Sequence, residues 1–124
     1  MKKKSKTRIL IVDDNEAILK LLEFLLKMHF FDVETENNGL NAVERIKKES
    51  FDLVVCDIDM PQYSGLSVLK EACLLNLKTK IVMMTGNLHE DYYEQSMALG
   101  ASGFLGKPFE SQQLLKTIED VLSK

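Results

Sequence analysis

Several apolar segments of this sequence are followed by residues that can take part in polar chemistry. In chain order these residues are Asp13 and Asp14, Asp57, Thr85, and Lys107. Carboxylates brought to one place raise one another's pKa or require a cation, since two charges ~4 Å apart interact by about 4 kcal/mol at an intermediate dielectric constant. Ligands that are all oxygens favour a hard cation such as Mg²⁺, which takes one or two carboxylates directly and keeps several waters. The acids therefore predict a magnesium site.

A magnesium site that contains a carboxylate indicates phosphoryl chemistry. A carboxylate can attack phosphorus and form an aspartyl phosphate when nearby cations neutralise the charge that gathers on the phosphoryl oxygens. Asp57 is the candidate nucleophile because it follows the central segment, with the first acids on one side and Thr85 and Lys107 on the other. Lys107 offers an ammonium group to one phosphoryl oxygen, and Thr85 offers a hydroxyl group to another.

Each of these residues also has an ordinary explanation when it is taken alone. Asp14 could serve only as the N-cap of the helix that follows it. A lysine before a proline is usually a surface residue, and a threonine at the end of a strand is usually a turn residue. The joint occurrence of acids, a hydroxyl and an ammonium group after successive strands favours a functional site.

The apolar segments predict the strands of a parallel sheet. Arg8–Val12, Leu53–Cys56 and Ile81–Met84 are rich in β-branched and other apolar residues, as expected of central strands buried on both faces. Asp32–Glu36 alternates charged and uncharged residues, which predicts an edge strand with one exposed side. The segment from Ser102 to Gly106 predicts a weaker fifth strand.

Between these strands, apolar residues recur with helical spacing. The first helix is predicted to bury Ile18, Leu21, Leu22, Leu25 and Met28, and the last helix Leu114, Leu115, Ile118, Val121 and Leu122. Three further helices are predicted at about Leu40–Lys48, Leu66–Leu75 and Glu90–Leu99, the third ending at Gly100. Five βα units predict an α/β fold with a doubly wound five-stranded parallel sheet, whose ligand site lies at the carboxyl ends of the strands.

Length and composition limit the other possibilities. The 124 residues predict a single domain over residues 1–124, with a basic start at residues 1–7 that we expect to be disordered. From Asp13 onward, 11 basic residues face 19 acidic ones, a net charge of −8 that argues against direct nucleic acid binding. Because the sequence has no apolar run of membrane-helix length and no secretion signal, we expect a cytoplasmic protein without membrane contacts. Cys56 and Cys73 are predicted to be reduced core residues.

The motifs at the strand ends resemble those of a known family. Val12-Asp13-Asp14, Asp57-Ile58-Asp59-Met60-Pro61 with Gly65 four residues later, Thr85-Gly86 and Lys107-Pro108-Phe109 together are similar to the receiver domains of two-component response regulators. The resemblance covers the chain from about Thr7 to Leu122. It implies a flavodoxin-like (βα)5 fold with the strand order 2-1-3-4-5, which is already established for chemotaxis receivers. It also implies a signalling switch that accepts a phosphoryl group, rather than an enzyme.

The resemblance implies a role for each acidic residue of the site. Asp57 would be the phosphoacceptor. Asp14 and Asp57 would bind Mg²⁺ directly, together with the backbone carbonyl of Asp59, while Asp13 would act mainly through water. Asp59 and Asn87 stand at positions that influence water access to the phosphoryl group in the family, so we expect them to set its lifetime.

The resemblance also implies how phosphorylation would be transmitted through the domain. Thr85 and Lys107 would hold the phosphoryl group, and Phe104 would turn inward as the switch aromatic when the threonine hydroxyl moves. The Lys107–Pro108 peptide bond would be cis. Gly86 stands where alanine is more usual, and we expect it to loosen the loop after Thr85.

Partners follow from the same resemblance. A sensor histidine kinase or a phosphotransfer protein would donate the phosphoryl group, and a downstream protein would bind the helix Glu90–Leu99, the fifth strand and the last helix. DNA-binding members often dimerise through this face with an acidic pair before the switch aromatic and arginines in the last helix. This chain has Ala101-Ser102-Gly103 before Phe104 and no arginine in its last helix, so that mode of dimerisation is not expected.

Two other functions remain open from the sequence. Asp57-Ile58-Asp59 resembles the D-x-D nucleophile motif of haloacid-dehalogenase-type phosphatases, although that family carries the motif on its first strand with a hydroxyl residue shortly after it. A nucleotide or flavin binder would need a glycine- or serine-rich loop after the first strand. The sequence Asp13-Asp14-Asn15-Glu16 stands there instead and would repel phosphates.

Overall fold

The computed structural model describes residues 6–75, 78–88 and 90–124. Strands and helices alternate along the chain: β1 (Arg8–Val12), α1 (Glu16–Met28), β2 (Asp32–Glu36), α2 (Gly39–Lys48), β3 (Leu53–Asp57), α3 (Gly65–Leu74), β4 (Lys80–Thr85), α4 (Tyr92–Leu99), β5 (Gly103–Gly106) and α5 (Ser111–Leu122). The start that we expected to be disordered falls mostly on residues 1–5, which lie outside the described ranges.

The strands form one parallel sheet in the order β2-β1-β3-β4-β5. This order confirms the predicted fold class. Apart from Arg8 and Lys80 at their starts, all residues of β1, β3 and β4 are buried, as their apolar composition predicts. The charged strand β2 lies at an edge of the sheet. From β1 the chain adds β2 on one side, and then crosses to add β3, β4 and β5 on the other side. A ligand site is expected at the carboxyl ends of β1 and β3, where this strand order switches.

The core consists of two apolar layers, one on each face of the sheet. Along β1, Leu10 and Val12 pack with the buried residues of α2 and α3, whereas Ile9 and Ile11 pack with those of α1 and α5. This alternation follows from the twofold periodicity of a strand, which sends successive side chains to opposite faces. Both faces of the central strands are therefore covered, and their ends remain accessible at the rim.

The buried face of helix α1 matches the prediction only in part. Leu22 is buried and Ile18 and Leu25 pack partly buried against the core, as predicted, but Leu21 and Met28 are 64% and 59% exposed. Leu19 and Leu26 are buried instead. Nine of the 13 residues of α1 are apolar, more than one face of a helix can bury, so the spacing is compatible with more than one orientation. Packing against the sheet decides between these orientations.

Helix starts also differ from the prediction in ways that matter for the site. The N-cap of α1 is Asn15, whose side chain accepts hydrogen bonds from the amides of Ala17 and Ile18, so Asp14 is not used as the cap. Helix α4 begins at Tyr92, two residues later than predicted, and ends as expected at Gly100, with φ +106°.

The prediction for Cys73 was wrong, since it is exposed, whereas Cys56 is buried.

Within the described ranges, no helix combines the length and the apolarity that a bilayer crossing requires.

Candidate functional site

Three carboxylates converge at the carboxyl edge of the sheet. β1 and β3 pair in register up to Val12 and Cys56, so Asp13 and Asp57 follow on neighbouring strands. One carboxylate oxygen from each of Asp13, Asp14 and Asp57 lies within 4.8 Å of the others. Asp13 and Asp57 are buried, whereas Asp14 is exposed. The predicted cluster of acids is therefore present.

Lys107, the residue that follows β5, reaches this cluster. Its Nζ atom lies 2.7 Å from Asp13 Oδ2 and 3.1 Å from Asp57 Oδ1. The backbone amide of Lys107 donates a hydrogen bond of 2.7 Å to the carbonyl of Thr85, which fixes the segment beside the end of β4. The Lys107–Pro108 peptide bond is cis, as the resemblance implied. The ammonium group supplies one positive charge to a site that carries three negative ones.

The electrostatics of the site follow from burial and from the crowding of charge. Burial, and then the negative charge of Asp13, raise the pKa of Asp57 to about 6, although Lys107 opposes this rise. Burial lowers the pKa of Lys107, but its hydrogen bond to Asp13 and the charge of Asp57 raise it by more, so the net direction is upward. One lysine does not compensate fully for the negative charge, and an additional cation would be favoured.

The hydroxyl group of Thr85 makes contacts that sequence reasoning missed. Thr85 ends β4 and is fully buried. Its hydroxyl donates a hydrogen bond of 2.6 Å to Asp59 Oδ2 and accepts one of 2.9 Å from the amide of Asn87. The sequence predicts a metal-binding carbonyl and an effect on phosphoryl lifetime for Asp59, but not a hydrogen bond between its carboxylate and Thr85. The D-x-D spacing was a signal, because it sets a second carboxylate in the loop beside the end of β4.

The loop after β3 is held close to the nucleophile candidate by Gly65. The amide of Gly65 donates a hydrogen bond of 3.1 Å to the carbonyl of Ile58. A Cβ atom at Gly65 would lie 2.0 Å from the carbonyl oxygen of Asp57, so the loop and the strand approach too closely for any other residue. This packing explains the position of glycine eight residues after Asp57 and fixes the start of α3.

The comparisons with known proteins agree with this geometry. The family model for the response regulator receiver domain matches residues 9–119. The chain belongs to the response regulator receiver family. Receivers of this family are regulatory signalling domains of two-component systems, and the acidic pocket fits a phosphoacceptor site.

Individual relatives of this receiver differ in length. The chemotaxis protein CheY of Bacillus subtilis is 34% identical over 117 residues, which are 94% of this chain and 98% of that protein. A CpxR homolog of Haemophilus influenzae, a transcriptional regulatory protein, is 35% identical over 118 residues, which are 95% of this chain. The receiver spans about half (51%) of that regulator's length. Similar receivers therefore occur both nearly alone and as part of longer proteins.

A solved structure bears on the metal. The response regulator TrrA of Thermotoga maritima, solved in complex with Mg²⁺ and BeF, has a TM-score of 0.85 and 31% identity, and the match covers 93% of this chain and 98% of that one. In this receiver, Asp57 Oδ1 is buried, and its near polar neighbour among the described residues is Lys107 Nζ at 3.1 Å, an ion pair rather than a hydrogen bond. A buried carboxylate oxygen whose charge is met by one ammonium group, next to two further carboxylates, fits a magnesium ion.

Phe104 lies on β5 and faces α4. Its half-buried ring meets that of Tyr93 edge to face, with centroids 5.4 Å apart and an angle of 87° between the planes. On the paired strands Thr85 is opposite Gly106, so Phe104 lies two residues before the position beside Thr85 and on the same side of the sheet. The two residues proposed to switch together are thus neighbours across the β4–β5 pair.

Proposed function

We propose that this receiver is a phosphoacceptor switch of a two-component phosphorelay, phosphorylated at Asp57. The observation that carries the proposal is the crowding of three carboxylates within 4.8 Å, with Lys107 Nζ 3.1 Å from Asp57 Oδ1. Asp57 is the acid of this group that ends the central strand β3, and its buried Oδ1 atom is paired with Lys107 alone among the described residues. A carboxylate oxygen of Asp57 is the proposed nucleophile.

In the proposed reaction, Asp57 attacks the phosphorus of a phosphohistidine. A new P–O bond forms, the P–N bond to the imidazole breaks, and the imidazole leaves with its electron pair and takes a proton from solvent. Lys107 would balance charge on one phosphoryl oxygen and keep its hydrogen bond to Asp13. The Thr85 hydroxyl would donate a hydrogen bond to a second phosphoryl oxygen. The product is a mixed anhydride on the Asp57 side chain.

Asp14 and Asp57, with the backbone carbonyl of Asp59, would hold Mg²⁺ directly, and Asp13 would act mainly through water. When it is bound, the metal supplies positive charge to phosphoryl oxygens, which favours transfer to a carboxylate. Asp13 and Asp57 are buried at the end of the sheet, so few waters compete for their charges.

The proposed donor is a sensor histidine kinase or a phosphotransfer protein, and the proposed output face comprises α4, β5 and α5. Phosphorylation would shift an equilibrium between two arrangements of this face, in which Thr85 and Phe104 change together. A shift from almost entirely off to almost entirely on needs about 5.5 kcal/mol of differential stabilisation. The Tyr93–Phe104 contact is the part of the face that such a change in Phe104 would alter first.

The test is phosphoryl uptake from a small-molecule donor in the presence of Mg²⁺, followed by intact mass. We expect the wild-type chain to gain one phosphoryl group and Asp57→Asn to gain none. Asp120→Asn is a matched control, because Asp120 is exposed and lies on α5 away from the site. Equal uptake by wild type and Asp57→Asn would end the assignment.

A phosphatase of the haloacid-dehalogenase type is the alternative reading of Asp57-Ile58-Asp59. In this chain the second acid accepts the hydrogen bond of Thr85, and the motif ends the third strand rather than the first. Repeated turnover of a phosphate ester would favour the phosphatase, whereas a single stoichiometric modification favours the switch.

We also propose that Asp59 and Asn87 set the lifetime of the phosphoryl group. The Asp59 carboxylate accepts the hydrogen bond of the Thr85 hydroxyl, and the backbone amide of Asn87 donates to the same hydroxyl. Both positions thus lie beside the site, where their side chains would control the access of water to the phosphoryl group. Substitutions at the two positions are expected to change the rate of phosphoryl loss, measured as the decay of the phosphorylated mass. Unchanged rates in both variants would refute this role.

A further inference from the structure

The hydroxyl group of Thr85 has one proton, and that proton is already engaged. It is donated to Asp59 Oδ2 over 2.6 Å, while the oxygen accepts the amide proton of Asn87. Thr85 is fully buried, so water does not exchange freely with this hydroxyl. A hydrogen bond to a carboxylate is among the stronger ones, because the acceptor is charged.

If Asp57 is phosphorylated as proposed above, two acceptors compete for the proton of the Thr85 hydroxyl. A phosphoryl group on Asp57 needs the Thr85 proton for one of its oxygens, and the same proton cannot be donated to Asp59 at the same time. Binding of the phosphoryl group by Thr85 therefore requires that the Thr85–Asp59 bond break. The cost of breaking it is subtracted from the stabilisation that Thr85 can give.

We infer that Asp59 is a positioning residue that holds Thr85 in the arrangement of the unphosphorylated protein. Removal of its carboxylate releases the hydroxyl and strengthens the binding of a phosphoryl group or its mimic. Asp59 also carries a negative charge that raises the pKa of Asp57, so its removal would reduce simple repulsion of an anion as well. The two effects differ in one respect, since only the first requires the hydroxyl of Thr85.

A double-mutant cycle separates these effects. The probe is beryllofluoride, a phosphoryl mimic, titrated with saturating Mg²⁺ and followed by fluorine NMR. The four proteins are wild type, Asp59→Ala, Thr85→Val and the double variant. We expect Asp59→Ala to tighten binding about tenfold more in the wild-type background than in the Thr85→Val background, which corresponds to about 1.4 kcal/mol of coupling.

Two further proteins, Thr85→Ser alone and together with Asp59→Ala, show whether the result comes from a folding defect. Asp59 is exposed, so Asp59→Ala removes no buried side chain. Thr85→Ser keeps the hydroxyl, and in that background Asp59→Ala is expected to tighten binding as it does in wild type. Equal tightening in the Thr85→Val and wild-type backgrounds, or no tightening in either, would overturn the inference and leave the phosphoacceptor assignment intact. Failure of the proposed function looks different, because wild type would then bind beryllofluoride no better than Asp57→Asn.

Discussion

The crowding of charge around Asp57 predicts that the site destabilises the fold when no metal is bound. Asp57 is 3% exposed, and burial and the charge of Asp13 disfavour its ionised form. Asp57→Asn removes one negative charge and nearly preserves the shape of the side chain. We therefore expect the variant to have a larger free energy of unfolding than the wild type in the absence of Mg²⁺.

The magnitude follows from the change in the pKa of Asp57. It rises from an ordinary value of 3.8 to about 6. At about 1.36 kcal/mol per pKa unit, this rise corresponds to roughly 3 kcal/mol of destabilisation by the ionised carboxylate. This value is an upper limit, because the asparagine amide also needs partners for its N–H groups. We expect the free energy of unfolding of Asp57→Asn to exceed that of the wild type by about 1–3 kcal/mol.

The size of this destabilisation depends on pH. Because the folded pKa of Asp57 lies above its unfolded value, the folded protein binds this proton more tightly. The destabilisation is absent well below pH 3.8, grows between pH 3.8 and about 6, and is complete above that range. The advantage of Asp57→Asn should thus be full at pH 7.5 and should shrink as the pH falls toward 4.

Urea unfolding at several pH values, with a chelator present, measures this difference. Asp120→Asn again serves as the control and is expected to change the free energy of unfolding by less than about 0.5 kcal/mol. Added Mg²⁺ should stabilise the wild type more than Asp57→Asn and so narrow the difference. A variant no more stable than wild type at pH 7.5 without metal would refute the electrostatic reasoning.

Three further predictions test the packing around the site, each by urea unfolding. Leu26→Ala should lower the free energy of unfolding by about 2–5 kcal/mol, because Leu26 is fully buried. Leu21→Ala, at a position 64% exposed, should change it by less than about 0.5 kcal/mol. Similar losses in the two variants would contradict the observed buried face of α1. Gly65→Ala should cost about 2 kcal/mol or more since its Cβ would overlap the carbonyl of Asp57, while Gly86→Ala, whose Cβ would meet its nearest neighbour at 3.9 Å, should be nearly neutral. A tolerated Gly65→Ala would show that the loop after β3 is not fixed as described. Arg45→Met should cost about 1–2 kcal/mol because Arg45 pairs with three carboxylates on β2 and at the end of α2. A loss of the same size in about 1 M salt, which screens ion pairs, would assign the effect to packing instead.

Some features of the site were accessible from the sequence because they depend on the chain order alone. In a parallel sheet all carboxyl ends lie along one edge, so residues that follow different strands must meet there. This rule brings together Asp13, Asp57 and Lys107 from the sequence alone. The motif resemblance added the strand order and the cis bond before Pro108, and the structure has both.

Other features depended on which of several acceptable contacts forms. The sequence identified Thr85 and Asp59 as site residues, but it did not show that the hydroxyl of one is bound to the carboxylate of the other. Both side chains have other possible partners, including water, and the choice depends on distances of a few tenths of an ångström. The N-cap of α1 is similar, since Asp14 and Asn15 are both good caps by residue type.

The sequence by itself determined the class of fold and the residue types of the site. The spacing of apolar residues specifies the helices and strands, and the residues that follow the strands must lie at the carboxyl edge of the sheet. Tertiary structure decided which face of α1 is buried, since this largely apolar helix satisfies several orientations and only its fit to the sheet distinguishes Leu26 from Leu21. Tertiary structure also decided the pKa of Asp57, because burial and the distances between charges exist only once the ends of β1, β3 and β5 come together at one edge of the sheet.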